Sequence, residues 1–422
     1  MPRQVRRLVP VVLRLTALAL RSVLVFLLAR YLAVPDVGLY GLLTVMIAYA
    51  IYPLGFDFYT YSTREILRHR RESWPTFLTS QLGFTLILYA VLCPAMLLLF
   101  AFGLMPWSVA LWFYLLIPLE HLGLELDRIL IAMLDQVGAS IGLFLRQAIM
   151  PLVVVPVLAF VPQARTLDTV LAGWAIFDLI GVAVGLVFVR RRLSGLPRGT
   201  IDRSWIRRGI AMSVPFLIGT LCLRALFTAD RQVIQLLASL EVLAAYTLFM
   251  SIGNGMTSVI YAGVHQFAYP HLVRAAHERD LPAYRSALTK MLVRTVVVIV
   301  GIAVAAVAVL PLLLAFVGHP TYAQYSWILP WVMLATGLYN LSLVPHYALY
   351  ALDADRTILW LTVAALGAFA VTVAALAAQS AVGAVLAGLI AASLVLLIGK
   401  TVAAALRLRS LVRVWELPAA RR

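Results

Sequence analysis

The sequence predicts an all-α, polytopic membrane protein with twelve transmembrane helices, and three observations support this fold class. First, 63% of the 422 residues are hydrophobic and only 12% are charged, with a mean hydropathy of +0.97, whereas soluble domains have about 25% charged residues. Second, the apolar residues form runs of about 20, the length that crosses a bilayer as a helix. Third, the basic residues alternate between successive loops. These observations exclude an ordinary soluble enzyme.

Twelve apolar runs are separated by charge clusters or by Pro and Gly turns. The first six helices are predicted at Leu8–Ala29, Val37–Tyr59, Trp74–Phe102, Ser108–Ile131, Gly138–Val161 and Thr166–Val189. The second six are predicted at Ile210–Leu236, Val242–His265, Leu288–Phe316, Tyr325–Tyr350, Thr357–Ala378 and Ala381–Leu406. The basic N-terminal segment lacks a small-residue cleavage site after its apolar run, so we expect a retained first helix.

The positions of the 34 Lys and Arg residues predict the orientation. Short cytoplasmic loops retain positive charge, and the basic clusters fall in every second loop, with Lys400 grouped among them. The opposite loops hold only Arg165, with Arg30 at a helix end. Both termini are therefore expected in the cytoplasm. The net charge of +16 is explained by anchors that face anionic membrane lipids, so nucleic acid is not an expected partner.

The sequence motifs give little support for a metal-dependent, redox or nucleotide-binding enzyme. Cys93 and Cys222 both lie in apolar runs without metal-ligand or redox spacing. The sequence contains no phosphate-binding loop and no polar stretch long enough for a nucleotide-binding domain. We therefore expect no enzymatic activity, no cofactor and no metal site, and any transport would draw its energy from a gradient or a partner.

A six-plus-six division is predicted at the most basic loop, between Arg190 and Arg208. The proposed lobes are residues 1–195, with helices 1 to 6, and residues 196–422, with helices 7 to 12. An arginine pair repeats at the same spacing in the first helix of each lobe, as Arg14 and Arg21 and as Arg224 and Arg231. Internal repeats of this kind are common among transporters.

Five arginines inside the apolar runs are the first candidates for binding a substrate: Arg14, Arg21, Arg146, Arg224 and Arg231. A charge at the bilayer centre costs roughly 2.5–3.5 kcal/mol, so such residues usually face a cavity, a partner or a substrate. Guanidinium groups suit phosphate because they donate two parallel hydrogen bonds and stay charged. Two alternatives stay open: Arg14 could reach the cytoplasmic surface, and Arg231 could pair with Asp230.

The remaining polar residues of the spans supply the other candidates. Asp57, Glu120, Asp178 and Asp230 are candidate ion-coupling or gating groups, because carboxylates inside spans are costly and usually have a function. Asn254 and Asn340 are added as candidate substrate contacts. For Glu120 and Asp178, the deepest carboxylates, proton relay and structural pairing both stay open.

Three segments resemble one family. Gly55-Phe56-Asp57-Phe58-Tyr59 runs into Tyr61-Ser62-Thr63-Arg64-Glu65, similar to the end of helix 2 in polysaccharide repeat-unit flippases of the multidrug, oligosaccharidyl-lipid and polysaccharide (MOP) exporter superfamily. Ser213-Val214-Pro215 through Ala229-Asp230-Arg231 to Tyr246 resembles their helix 7, and Tyr269-Pro270-His271-Leu272 their helix 8 exit. The chain departs from the family's pattern at Ala244-Ala245, where glycine is commoner.

The resemblance implies a two-lobed carrier of the bacterial inner membrane, similar to the MATE transporters in fold, with a central cationic cavity. It implies that an undecaprenyl-diphosphate-linked oligosaccharide of the O-antigen type is moved from the inner to the outer leaflet by alternating access. Arg21, Arg146 and Arg224 would then contact the diphosphate. It also implies polymerase and ligase partners of polysaccharide assembly, and we expect a monomer.

Two other functions stay open within the same superfamily. An ion-coupled multidrug exporter would need an acidic cavity, against which the intramembrane arginines argue. A lipid II flippase would share the cationic cavity but typically has further helices after the twelfth. A scaffold or polymerase subunit of an envelope assembly complex would not need arginines deep in two separate lobes.

Overall fold

The computed structural model describes the backbone of residues 3–415 and the side chains of residues 9–411. Every regular element in that part of the chain is helical, and twelve helical segments are long and apolar enough to span a membrane. In chain order they are α1 to α12: Arg3–Tyr31, Val34–Gly55, Arg71–Ala101, Trp107–Ala132, Gln136–Phe160, Leu167–Leu193, Arg203–Leu237, Leu240–His277, Leu281–Val317, Ile328–Ala351, Asp355–Leu376 and Ala381–Trp415.

The predicted fold class and the number of spans are confirmed. One boundary error lies in the second helix, which was predicted to reach Tyr59 but ends at Gly55. Phe56 and Asp57 both have positive φ, at 54° and 46°, a conformation that an α-helix cannot continue through. A separate helix, Tyr59–Arg68, begins directly afterwards. The apolar pattern continues across this break, so hydropathy alone did not reveal it.

The eighth helix is longer than predicted. Its apolar run ends near His265, but the backbone continues through a π-helical turn, Tyr261–His265, into a polar segment that ends at His277. The α9 helix likewise begins at Leu281 instead of the predicted Leu288. Both errors have one cause: hydropathy marks the part of a helix that lies in hydrocarbon, whereas backbone hydrogen bonding extends the helix into the polar zone.

Two compact units divide the chain, one up to Arg224 and the other from Ala225. The α7 helix runs through the boundary. The predicted division into lobes at residues 195 and 196 stays a prediction.

In the first unit, α7 begins against an aromatic cluster. Trp205 is fully buried and stacks on Phe77, with ring centroids 5.2 Å apart and an angle of 8° between the planes. Phe58 and Tyr61 pack against the same indole. A Cβ added to Gly209 would overlap the Phe58 ring, so this glycine allows α7 to approach the Tyr59–Arg68 segment closely.

In the second unit, α10, α11 and α12 pack together. The Phe369 ring and Val373 of α11 lie against Gly388 of α12, and the Tyr284 hydroxyl of α9 donates to the Ala348 carbonyl of α10 at 3.2 Å. The most apolar window of α9 contains no buried residue. Within the described residues, the buried side chains of that helix, Tyr284, Met291, Thr295 and Val317, lie outside this apolar window.

Candidate functional site

A buried charge cluster occupies the middle of the first unit. Arg146 lies in a π-helical stretch of α5, Leu145–Ile149, and is 4% exposed. Its Nη2 donates to Asp127 Oδ2 at 2.7 Å, and its Nη1 donates to Glu120 Oε2 at 3.4 Å. Both carboxylates belong to α4, seven residues apart, so two helical turns place them on one face. The cluster thus joins α4 to α5.

Small residues make room for this arginine. A Cβ on Gly123 of α4 would overlap the Arg146 guanidinium, and one on Gly181 of α6 would overlap its aliphatic stem. The Trp174 indole of α6 donates from Nε1 to Glu120 Oε1 at 2.9 Å. The cluster therefore connects three helices, and its two glycines form the slot that the arginine fills.

Asp178 of α6 adds a third acid to the cluster. It is 1% exposed, and its Oδ2 has no hydrogen-bond partner within the part of the chain that the structure describes. Asp178 is also not one of the carboxylates that form ion pairs with an arginine there. Its predicted alternative role as a fixed salt-bridge partner is therefore not realised in this conformation, whereas Glu120 does take that role.

The two candidate arginines of α1, Arg14 and Arg21, are exposed, unlike Arg146. Arg14 Nε donates to the Ser140 hydroxyl of α5 at 3.0 Å. Arg21 borders a cavity of about 30 Å³ that Tyr40, Glu120, Arg146 and Trp174 also line. A volume of this size suits about one water molecule. A diphosphate does not fit in it, so any such group would meet Arg21 from outside this cavity.

The two candidate arginines of α7, Arg224 and Arg231, differ in exposure from each other. Arg224 is exposed; its Nη2 donates to the Tyr52 hydroxyl at 2.6 Å, with the guanidinium carbon 4.8 Å from that ring's centroid. Arg231 is 5% exposed, and its Nη1 lies 3.0 Å from Asp230 Oδ2. The Tyr246 hydroxyl donates to the same carboxylate at 2.7 Å. The predicted alternative, an Arg231–Asp230 pair, is confirmed.

The three other polar candidates have unlike surroundings. Asn340 is buried and donates to the Thr257 hydroxyl at 2.9 Å and to the Thr336 carbonyl at 2.8 Å, which ties α10 to α8. Asn254 is exposed on α8. Asp57, in the break after α2, is 2% exposed; its burial raises the pKa of the carboxyl above its usual value, although the Thr220 hydroxyl and the Arg128 charge counteract this.

Three buried residues were missed or misplaced by the sequence reasoning. Asp127, which makes the shorter of the two contacts to Arg146, was overlooked because it adjoins Arg128 at the end of a span. Its position seven residues after Glu120 was the available signal. Lys400 was grouped with the cytoplasmic charges, but it is 3% exposed, since α12 continues well beyond it. His265 is fully buried and lies 3.3 Å from the Thr295 hydroxyl.

Twelve helices long and apolar enough to span a membrane, with arginines both buried in ion pairs and exposed within the spans, define a polytopic membrane protein. A sequence profile of the family described as "Polysaccharide biosynthesis protein" matches residues 11–276, more than half of the chain. The protein belongs to this family, as the motif resemblance predicted. A sequence search of curated proteins gives no match.

Solved structures with similar folds include two described as MOP superfamily transporters and one described as a lipid II flippase. An inward-facing MATE multidrug resistance transporter matches with a TM-score of 0.71 and 14% identity, over 94% of this chain and 96% of its own. The lipid II flippase MurJ matches with a TM-score of 0.74 and 13% identity, over 94% and 87%. A MOP transporter from Pyrococcus furiosus matches with a TM-score of 0.54 and 13% identity, over 98% and 95%. At these identities the likeness establishes the MOP fold.

Proposed function

We propose that the protein is a flippase that moves an undecaprenyl-diphosphate-linked oligosaccharide from the cytoplasmic to the periplasmic leaflet of the bacterial inner membrane by alternating access. Two findings support a substrate of this class. The chain belongs to a family described by polysaccharide biosynthesis, and it shares its fold with a protein named as a lipid II flippase.

The observation that carries the proposal is the pair Arg21 and Arg224. Both are exposed although they lie within spans, and neither is among the arginines that form ion pairs in the described part of the chain. An intramembrane guanidinium without a carboxylate partner is costly. A phosphate of the substrate would supply the missing counter-charge through bidentate hydrogen bonds.

The other arginines have different proposed roles. Arg14 is exposed and donates to the neutral Ser140 hydroxyl, so it is available as a third phosphate donor. Arg146 and Arg231 are held by their own carboxylates. They would reach a phosphate only after releasing those partners, so we assign them first to positioning helices.

For energy coupling we propose Asp57 and Asp178. Both are buried, and neither forms an ion pair with an arginine in the part of the chain that the structure describes. Glu120 and Asp230 are already engaged with Arg146 and Arg231, so they are better suited to gating that breaks and re-forms an ion pair. Asn254, exposed on α8, is available to a glycan hydroxyl, whereas Asn340 is engaged between helices.

The alternative function, ion-coupled drug export, is favoured by one observation. Glu120, Asp127 and Asp178 form an acidic cluster around a single buried arginine, and an excess of carboxylates suits cationic substrates or cation exchange. The two functions predict opposite phenotypes, so one experiment separates them.

The experiment starts from deletion of the gene in its host and complementation with variants. Arg21→Ala and Arg224→Ala should each reduce clearance of the lipid-linked repeat unit at least tenfold at equal membrane abundance, because a bidentate phosphate contact is lost. Arg21→Lys and Arg224→Lys should retain part of the activity, since the charge persists without the planar fork. Arg207→Ala, an exposed arginine at the start of α7, is the matched control and should clear normally.

Wild-type clearance by both alanine variants would reject the phosphate role of these arginines. An unchanged pool of lipid-linked glycan in the deletion strain, together with altered drug tolerance, would favour the exporter.

A further inference from the structure

A groove in the second unit lies where α8 ends and α9 begins. Its cavity has a volume of about 460 Å³. The polar side chains that line it are His271, Arg274, Glu278, Ser286, Lys290 and Arg294. The connecting turn is short, from His277 to Leu281, and Asp280 caps α9 by accepting from the Ala283 amide at 2.9 Å. The α8–α9 groove is therefore held by regular helices on both sides.

The charge of this groove is uncompensated. Arg274, Lys290 and Arg294 are all exposed and face one carboxylate in the groove, that of Glu278. None of the three belongs to an ion pair within residues 9–411. Arginine and lysine side chains that converge on a cavity in excess of its carboxylates suit a phosphate group.

The α9 helix continues from this charged end into an apolar stripe. Ser286, Lys290 and Arg294 follow each other at four-residue spacing, so they lie on one helical face. The same face continues at intervals of three or four residues with exposed apolar or small residues: Val297, Gly301, Ala305, Ala308 and Leu312. A Cβ on Gly301 would meet nothing within 4 Å. The charged end of α9 and the apolar stripe that follows it together match an amphiphilic molecule lying along the helix.

The groove lies at the ends of two spans, on the side where the basic loops predict the cytoplasm. We propose that the α8–α9 groove binds the phosphate of an anionic membrane phospholipid, with an acyl chain along the apolar stripe of α9. Basic pockets between spanning helices on the cytoplasmic side bind such headgroups. The excess of cationic side chains over Glu278 selects an anionic headgroup over a zwitterionic one. This inference does not depend on the transported substrate.

The test uses the full-length protein in detergent and native mass spectrometry with added phosphatidylglycerol, phosphatidylcholine, glycerol 3-phosphate or inorganic phosphate. Wild type should retain phosphatidylglycerol at least tenfold better than phosphatidylcholine. Lys290→Gln/Arg294→Gln should lose at least tenfold in phosphatidylglycerol retention. The matched control, Arg279→Asn/Arg285→Gln, removes two charges from the same helix ends but outside the groove, and should stay within twofold of wild type.

Three outcomes would overturn the proposal. Equal loss in the groove and control variants would mean that general surface charge attracts the lipid. Equal retention of phosphatidylcholine would remove the role of the cationic excess. Binding of inorganic phosphate or glycerol 3-phosphate as tight as that of phosphatidylglycerol would identify a soluble phosphate site without an acyl chain. The thermal midpoint of each variant without lipid checks that folding is unchanged.

Discussion

Both units bury one guanidinium, but they compensate it differently. In the first unit, Arg146 of α5 is held by Glu120 and Asp127 of α4, which lie 26 and 19 residues away in the chain. In the second unit, Arg231 is held by its sequence neighbour Asp230, and Tyr246 of α8 joins α7 through its hydrogen bond to Asp230 and its ring beneath the Arg231 guanidinium. The first arrangement holds helices together, whereas the second mainly neutralises a charge locally.

The buried titratable groups of the two units also differ in sign. The first unit surrounds Arg146 with three acids, since Asp178 joins Glu120 and Asp127. In the second unit the buried groups, over the residues described, are His265 and Lys400 besides the Asp230–Arg231 pair. The first unit therefore buries an excess of carboxylates around one arginine, whereas the second buries a balanced ion pair, a histidine and a single lysine. Three substitutions test this comparison.

The largest effect is expected from Arg146→Ala. Removing the guanidinium leaves Glu120 and Asp127 buried without their cation, which costs about 3–5 kcal/mol. The thermal midpoint of the purified protein, followed by size-exclusion fluorescence in detergent, should fall accordingly, with reduced membrane abundance.

Arg14→Ala is its control, because it removes one hydrogen bond at an exposed arginine and should cost about 1 kcal/mol or less. A neutral triple variant, Arg146→Met/Glu120→Gln/Asp127→Asn, should recover part of the stability. If Arg146→Ala were no worse than Arg14→Ala, the cluster would not hold α4 to α5.

An intermediate effect is expected from Gly181→Ala, which places a methyl group where the Arg146 stem lies. Overpacking of this kind costs about 2 kcal/mol, and the same thermal assay would show it. Gly367→Ala on α11 is the control, since nothing lies within 4 Å of its added Cβ. Alanine is the better helix former by about 1 kcal/mol, so this control should be neutral or stabilising. Equal behaviour of the two variants would contradict a slot that only glycine permits.

The smallest effect is expected from Tyr246→Phe in the second unit. It removes the phenol that donates to Asp230 and leaves the Arg231 pair intact, at a cost of about 1.5 kcal/mol for a hydrogen bond to a charged group. Tyr350→Phe, at a residue whose ring is 49% exposed, should be nearly silent in the same thermal assay. A cost for Tyr246→Phe as large as that for Arg146→Ala would mean that both units depend on their charges to the same extent.

The arginines show how far sequence reasoning reached into the site. All five were identified from the sequence, because a charge inside an apolar run is visible without a structure. Their division into buried, paired residues (Arg146 and Arg231) and exposed ones (Arg14, Arg21 and Arg224) was not visible. For Arg231 the neighbouring Asp230 gave a local signal, and that alternative is confirmed. For Arg146 the partners lie on another helix, and no local sequence pattern around Arg146 predicts them.

The sequence by itself determined the helical fold class and the twelve spans, because hydrocarbon thickness and backbone hydrogen bonding act on each segment separately. It also indicated the family, through short motifs. The tertiary structure alone decided where helices end beyond the hydrocarbon, that Lys400 is buried, and which carboxylates hold Arg146. Those features depend on packing between segments that are distant in the chain. Gly123, Gly181 and the Arg146–Asp127 ion pair, for example, come together only after the helices have assembled.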